Sequence, residues 1–158
     1  MCAAHRAHVT TLTARSLNTR LSNLSVKVHH AWMRTRTGAA RVLIVEDVAD
    51  LRDFYAILLR EEGYEVACAC DGSDALKWLS WDPDVILLDL MMPVMDGYEF
   101  YSRLQNLPGE HPPVIVVSAV TPMRSELPGI HATLPKPFDF AQLLHRVAAA
   151  STHGASAN

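Results

Sequence analysis

The residues best suited to chemistry stand at the ends of short apolar runs. Glu46 and Asp47 follow the first run, and Asp89 follows the third. Ser118 ends the fourth run, and Lys136 follows the fifth. Three carboxylates gathered in one place repel each other and resist ionisation unless a cation lies between them. If folding brings these run ends together, the carboxylates form a binding site for a cation.

Such a group of side chains could bind and transfer a phosphoryl group. Oxygen ligands with no histidine or cysteine nearby suit Mg²⁺, which keeps several waters and uses few protein carboxylates. Lys136 would offset charge on the phosphoryl oxygens, and the Ser118 hydroxyl would hydrogen-bond one of them. A carboxylate could then attack in line as the nucleophile. Positioning and electrostatics would supply most of the acceleration, because the transition state of this reaction is loose.

A parallel sheet would bring these run ends to one edge. Apolar runs and alternation predict five strands, at residues 42–45, 65–70, 85–88, 114–117 and 131–134. Helical spacing predicts helices at residues 50–62, 75–79 and 97–106, a turn at 71–73, and a last helix capped by Asp139. This order predicts an α/β fold, a doubly wound five-stranded parallel sheet with helices on both faces. Ligands of such sheets bind beyond the carboxyl ends of the strands.

Length and composition fit one globular domain with tails. The chain has 158 residues, of which 49% are hydrophobic and 20% charged. No apolar run approaches the roughly 20 residues that cross a bilayer, so no transmembrane segment is expected. Three cysteines are too few for a disulfide framework, which favours a cytoplasmic location. Cys68 and Cys70 are expected to be small buried hydrophobic residues on one face of the second strand.

Charge divides the chain into a basic start and an acidic remainder. No acidic residue precedes Glu46, whereas the first part of the chain contains Arg6, Arg15, Arg20, Lys27, Arg34, Arg36 and Arg41. We expect a disordered or partly helical leader at 1–40, a folded domain at 41–150 and a disordered tail at 151–158. Apolar residues at helical spacing within 15–34 leave open an amphipathic helix that binds an acidic or membrane surface or a nucleic acid.

Four sequence blocks resemble the signature blocks of response-regulator receiver domains. They are Leu43-Ile44-Val45-Glu46-Asp47, the run from Leu87 to Gly97 (LLDLMMPVMDG), Val116-Val117-Ser118-Ala119 and Lys136-Pro137-Phe138. One block alone would be weak evidence, but the four occur in the family's order and cover the predicted domain. The resemblance implies the flavodoxin-like receiver fold.

The resemblance also implies a role for each site residue. The family's Mg²⁺ ligands match the side chains of Glu46, Asp47 and Asp89 and the backbone carbonyl of Met91. Asp89 matches the aspartate that is phosphorylated. Ser118 matches the residue that responds to the phosphoryl group, and Lys136 matches the lysine that pairs with it. The bond from that lysine to the following proline, here Pro137, is commonly cis in the family.

One position departs from the family's pattern. An aromatic residue usually stands three residues before the lysine and turns inward on phosphorylation, but Thr133 occupies that position here. The stretch between Ser118 and Lys136 is also about one helical turn shorter than usual and contains Pro122, Pro128 and Gly129, so a short or irregular helix is expected. The hypothesis is that Ser118 reorders residues 119–129 without an aromatic partner.

The function expected from these residues is that of a phosphoacceptor response regulator in a two-component phosphorelay. A histidine kinase or a histidine phosphotransfer protein would donate the phosphoryl group to Asp89, with Mg²⁺ as the cofactor. The domain would be a switch with slow autophosphatase activity rather than an enzyme that acts on a free substrate. Because few residues follow Ala150, no DNA-binding domain is expected, and the output would pass to a downstream protein target.

Three other functions remain open. A phosphatase or phosphomutase of the aspartyl-phosphate type also has a nucleophilic aspartate at a strand end, but usually a second aspartate where Met91 stands here. A nucleotide binder would need a glycine-rich loop after the first strand, where Glu46 and Asp47 would instead repel phosphate. The third possibility is an interaction module with the receiver fold that is not phosphorylated.

Overall fold

Five parallel strands form the sheet that the sequence predicts. The computed structural model describes residues 38–120 and 127–153. The strand order is β2-β1-β3-β4-β5, and every neighbouring pair is parallel. The strands are β1 (Arg41–Val45), β2 (Glu65–Ala69), β3 (Val85–Leu88), β4 (Val114–Ser118) and β5 (Ala132–Pro135). The α/β fold class and the doubly wound five-stranded sheet are therefore confirmed.

Helices connect the strands and cover both faces of the sheet. The described helices are α1 (Ala49–Glu61), α2 (Gly72–Trp78), α3 (Gly97–Gln105) and α4 (Phe140–His153), and a single 3₁₀ turn (Leu79–Trp81) follows α2. Helix α1 ends just before Gly63, whose φ of +89° suits glycine. The predicted cap of the last helix is confirmed, because Asp139 Oδ1 accepts a hydrogen bond from the Ala141 amide at 2.9 Å.

The start of α2 differs from the sequence prediction of a turn at residues 71–73. Helix α2 begins at Gly72, and the Asp71 side chain caps it by accepting a hydrogen bond from the Asp74 amide at 2.8 Å. A Cβ at Gly72 would lie 2.7 Å from Met95 Cγ and 2.8 Å from Phe100 Cβ. Glycine is therefore needed here because Met95 and Phe100 pack closely against its Cα. In the sequence alone, the same glycine looks like the sign of a turn.

The two faces of the sheet bury separate apolar layers. Leu43 and Leu88 point toward α2 and α3, where they pack in one buried cluster with Phe100 and other residues. Ile44 and Leu87 alternate with them and pack on the opposite face in a second cluster, whose members from α1 and α4 include Leu59, Leu143 and Val147. Both layers exclude water from the sheet, so the polar side chains at its carboxyl edge are held on a rigid base.

The prediction of two buried cysteines is wrong for Cys70. Cys68 is half-buried and packs against the α1 side of the core, whereas Cys70 is exposed and lies 3.7 Å from Asp71 Oδ2. Strand β2 is an edge strand and ends at Ala69, so the residue after it leaves the sheet. The single-sequence pattern does not show which strand lies at an edge.

Some predictions fall outside the described residues. They concern residues 1–37 of the predicted leader, residues 121–126 and residues 154–158 of the predicted tail. The domain boundaries and the short helix expected between Ser118 and Lys136 therefore stay predictions, although α4 continues to His153, three residues into the predicted tail. Within residues 38–120 and 127–153, no helix is long and apolar enough to cross a membrane.

Candidate functional site

Strand register brings the predicted site residues to one edge of the sheet. Val45 of β1 pairs with Leu88 of β3, so the residues that follow them, Glu46 and Asp89, emerge side by side. On the other side of β3, β4 ends at Ser118, which pairs with Pro135 of β5. Lys136 follows that pair, and its amide donates to the Ser118 carbonyl at 2.9 Å.

The Asp89 carboxylate accepts hydrogen bonds from both predicted donors, Ser118 and Lys136, and from one backbone amide. Ser118 Oγ donates to Asp89 Oδ1 at 2.8 Å, and the Met91 amide donates to the same oxygen at 3.1 Å. Lys136 Nζ lies 2.6 Å from Oδ2. Only 7% of Asp89 and 1% of Ser118 is exposed, so these hydrogen bonds form in a place from which most water is excluded.

Lys136 also pairs with the first acidic residue of the site. Its Nζ lies 2.6 Å from Glu46 Oε2, and Glu46 is only 2% exposed. Burial raises the pKa of Glu46 above its ordinary value, although the hydrogen bond and charge of Lys136 oppose this shift. Burial alone would lower the pKa of Lys136, but the hydrogen bonds and charges of Asp89 and Glu46 raise it. One ammonium thus serves two buried carboxylates.

The acidic residues fit a divalent cation. Glu46, Asp47 and Asp89 each offer a carboxylate oxygen, and these atoms lie within 4.8 Å of one another. Lys136 neutralises only one of the three negative charges, so the cluster has room for further positive charge. Three carboxylates with water access through the half-buried Asp47 are a donor set that suits Mg²⁺. Met91 is 62% exposed beside this cluster, and the role of its carbonyl stays a prediction.

Two residues that the sequence analysis did not select support this site. The Arg52 guanidinium in α1 donates to the backbone carbonyls of Glu46 at 2.8 Å and Asp47 at 3.3 Å. Gly97 opens α3 directly behind Asp89, and a Cβ there would clash with the Asp89 carbonyl oxygen and lie 2.8 Å from Leu90 Cα. An arginine in the first turn of a helix, where a positive charge is unfavourable, is the sequence signal that could have revealed Arg52.

The segment around Lys136 is fixed by its backbone and by an aromatic contact. The Lys136–Pro137 bond is cis, as the resemblance implies. Phe138 packs against Tyr55 of α1, with ring centroids 5.7 Å apart. Thr133 is half-buried in β5 beside Val116. The hypothesis about the loop after Ser118 stays a prediction, because residues 121–126 lie outside the described residues.

Comparison with known families narrows the possible functions of this edge of the sheet. The family described as the response regulator receiver domain matches residues 42–148, which are more than half of the chain and all of the sheet except Arg41. The chain belongs to the response regulator receiver family. Members are signalling modules of two-component systems, so the match favours a receiver over a phosphatase or a nucleotide binder.

The match to curated relatives covers about half of each relative's length. PrrA of Mycobacterium tuberculosis, a transcriptional regulatory protein, is 38% identical over 122 residues, which cover 74% of this chain and 52% of PrrA. SphR of Synechococcus elongatus, a transcriptional regulatory protein of alkaline phosphatase synthesis, is 34% identical over 122 residues, which cover 68% of this chain and 47% of SphR. The chain thus spans about half the length of these relatives.

Solved receiver structures share the fold. The CheY-like receiver domain from Methylobacillus flagellatus is 25% identical, with a TM-score of 0.61, and the alignment covers 72% of this chain and 99% of that one. TrrA of Thermotoga maritima, solved in complex with Mg²⁺ and BeF, is 29% identical, with a TM-score of 0.64 and coverage of 70% and 98%. The receiver fold is therefore confirmed.

The relatives contradict one prediction from the sequence. The expectation that no DNA-binding domain accompanies this receiver is wrong for its relatives, because PrrA and SphR are both named as transcriptional regulators and extend far beyond the matched region. The prediction rested on counting the residues after Ala150. Such a count describes the length of one sequence and says nothing about the proteins in which this receiver type works.

Proposed function

We propose that this receiver is a Mg²⁺-dependent phosphoacceptor in which Asp89 takes a phosphoryl group from a phosphohistidine donor. The observation that carries the proposal is the set of hydrogen bonds to the Asp89 carboxylate. Ser118 and Lys136 each bond one of its oxygens, at 2.8 and 2.6 Å. These hydroxyl and ammonium donors are the groups that a phosphoryl group attached to Asp89 would need.

The chemistry follows from the positions of these donors. A carboxylate oxygen of Asp89 attacks phosphorus, a P–O bond forms, and the P–N bond to the donor histidine breaks with its electron pair leaving on the imidazole. Lys136 then balances charge on the phosphoryl oxygens, and the Ser118 hydroxyl donates a hydrogen bond to one of them. Before the reaction Ser118 and Lys136 bond the Asp89 carboxylate itself, so during transfer these two donors need only change acceptors, from the carboxylate to the phosphoryl oxygens.

Three carboxylates support the part of the proposal that concerns the metal. Glu46, Asp47 and Asp89 would hold Mg²⁺ through the oxygens that lie within 4.8 Å of one another. Bound there, Mg²⁺ supplies positive charge that offsets the charge of the transferred phosphoryl group. The solved complex of TrrA with Mg²⁺ and BeF supports the same choice of metal by similarity.

The partners and the later fate of the phosphoryl group are part of this proposal. A histidine kinase or a histidine phosphotransfer protein donates the group, and a downstream target reads the phosphorylated state. Hydrolysis of the acyl phosphate by water resets the domain, so the receiver has slow autophosphatase activity toward its own Asp89 phosphate.

Beryllofluoride, which imitates a phosphoryl group, tests this proposal by NMR. Beyond the shifts that Mg²⁺ alone causes near its ligands, we expect further amide shifts around Asp89, Ser118 and Lys136 only when Mg²⁺ and beryllofluoride are both present, and no such further shifts in Asp89→Asn. An unchanged spectrum of the folded wild-type protein, or equal shifts in Asp89→Asn, would contradict the proposal. The amides of residues 119–129 in the same spectra test whether this loop responds to the phosphoryl group without an aromatic residue at Thr133.

A further inference from the structure

The segment that carries two of the proposed metal ligands has little support of its own. Only Glu46, Asp47 and Val48 connect β1 to α1. Val48 occupies the N-cap position of α1 in an extended conformation, and its side chain provides no capping hydrogen bond. Serine, threonine, aspartate or asparagine would normally bond to the first free amides of the helix. Within the segment, Glu46 Oε1 accepts one long hydrogen bond, from the Val48 amide at 3.4 Å. The direction of the two acidic side chains therefore depends mainly on contacts from elsewhere.

Arg52 supplies such contacts from within α1. Its Nη1 donates to the Glu46 carbonyl at 2.8 Å and to the Asp47 carbonyl at 3.3 Å, so one guanidinium holds two successive peptide groups. The Arg52 amide meanwhile donates to the Val48 carbonyl at 3.0 Å in the first turn of the helix. The residue is thus fixed to the helix through its backbone and to the β1–α1 segment through its side chain.

The location of Arg52 near the start of a helix is electrostatically unfavourable, so its hydrogen bonds to the Glu46 and Asp47 carbonyls must offset that cost. The N-terminus of a helix carries partial positive charge, which disfavours a cation in the first turn. A positive charge near a metal site also repels the metal. The carbonyl oxygens of Glu46 and Asp47 satisfy the guanidinium. Because the guanidinium fixes these two peptide groups, it also fixes the directions in which the Glu46 and Asp47 side chains leave the backbone.

From these contacts we infer that Arg52 is a positioning residue for Mg²⁺, an inference that rests on the proposed function. It fixes the backbone of Glu46 and Asp47, so the two carboxylates are oriented toward Asp89 before the metal binds. Residues that orient metal ligands in this way typically change metal affinity by roughly 10- to 100-fold when they are replaced. If Arg52 acts by orienting the ligands, its removal weakens Mg²⁺ binding; if it acts through its charge, its removal strengthens Mg²⁺ binding. The sign of the change in Mg²⁺ affinity therefore distinguishes the two roles.

The test is a Mg²⁺ titration of three variants, followed by amide NMR shifts, which needs no phosphodonor. Arg52→Gln is expected to bind Mg²⁺ about ten-fold more weakly than wild type, because the β1–α1 segment loses both bonds. Arg52→Lys keeps the charge but lacks the planar fork, so its affinity should fall between the two. Arg60→Gln is the matched control, since Arg60 lies about 12 Å further along α1 and donates to the Val66 carbonyl.

Each outcome has a definite meaning. Tighter binding by Arg52→Gln would show that the arginine acts through charge repulsion, and unchanged binding would show that the contacts are irrelevant; both overturn the inference. If Arg52→Gln does not fold, Arg52→Lys decides, with weaker binding in support and equal binding against. If wild type and Asp89→Asn bind Mg²⁺ equally, the metal does not occupy this site, and the proposed function fails together with the inference.

Discussion

At the scale of single residues, Lys136 has two opposing effects on the proposed reaction. Its ammonium lies 2.6 Å from both Glu46 and Asp89, so it compensates two buried carboxylates at once. In the proposed reaction the same ammonium must pair with the phosphoryl group, and Mg²⁺ must approach carboxylates with which the lysine is already paired. The lysine therefore assists transfer and competes with the metal.

Replacing Lys136 should separate these two effects. In Lys136→Met we expect tighter Mg²⁺ binding, because a competing cation is gone, and phosphorylation slower by about 10²- to 10³-fold, because a charge-stabilising donor is lost. Mg²⁺ titration and the time course of phosphorylation by acetyl phosphate measure the two quantities. Lys77→Met is the control, since Lys77 is exposed and, among the residues that the structure describes, its ammonium pairs only with Asp74, across 3.4 Å. Weaker Mg²⁺ binding by Lys136→Met would contradict this account of its role.

At the scale of elements, α3 supports the end of β3, the strand that leads to Asp89. Asp96 caps the helix through the Glu99 amide, and Gly97 donates its amide to the Leu90 carbonyl at 3.1 Å. This contact brings the helix start against the backbone of Asp89, where no side chain fits. Further along the helix, the Tyr101 hydroxyl donates to the Pro128 carbonyl at 2.7 Å and so anchors the approach to β5.

A side chain at Gly97 should disturb the strand end that carries Asp89. For Gly97→Ala we expect a loss of about 1–3 kcal/mol in the free energy of unfolding, the range typical of overpacking, despite the better helix propensity of alanine. Mg²⁺ affinity should fall as well, because the Asp89 backbone must move. Gly38→Ala is the control, since a Cβ there meets no atom within 4 Å. Denaturant unfolding that is the same for Gly97→Ala and wild type would contradict the packing argument.

Loss of the Tyr101 hydroxyl should cost stability in a pH-dependent way. In Tyr101→Phe the Pro128 carbonyl loses its donor, and because Pro128 is exposed, water can partly replace it. We therefore expect a loss of about 0.5–1.5 kcal/mol in the free energy of unfolding near neutral pH. Burial raises the pKa of Tyr101 above its ordinary value of 10.0. The folded protein therefore keeps a proton that the unfolded chain releases, and the advantage of wild type over Tyr101→Phe should be complete below pH 10.0 and shrink above it.

Urea unfolding of wild type and Tyr101→Phe at several pH values from neutral to above 10.0 measures this difference. A constant difference across that range would show that the hydroxyl is not protected from titration by the fold.

At the scale of the whole molecule, most of the site could be predicted from the sequence with two general rules of parallel sheets. Apolar runs identify the strands, and parallel strands gather their carboxyl ends, so Glu46, Asp89 and Lys136 could be predicted to lie together. The position of Arg52 in the first turn of a helix is visible in the sequence. The carbonyls that it contacts and the role of Gly97 could not be predicted, because both depend on backbone atoms that a pattern of residue types does not locate. The exposure of Cys70 depends on strand order, which the lengths of the connections leave open.

The central claim is that Asp89 accepts a phosphoryl group with the help of Mg²⁺. Its most direct test is the intact mass of the protein after incubation with acetyl phosphate, with and without Mg²⁺, beside Asp89→Asn. We expect the wild-type protein to gain one phosphoryl group only when Mg²⁺ is present, and Asp89→Asn to gain none. An equal gain in Asp89→Asn, a gain independent of Mg²⁺, or no gain by folded protein that also ignores beryllofluoride would contradict the claim.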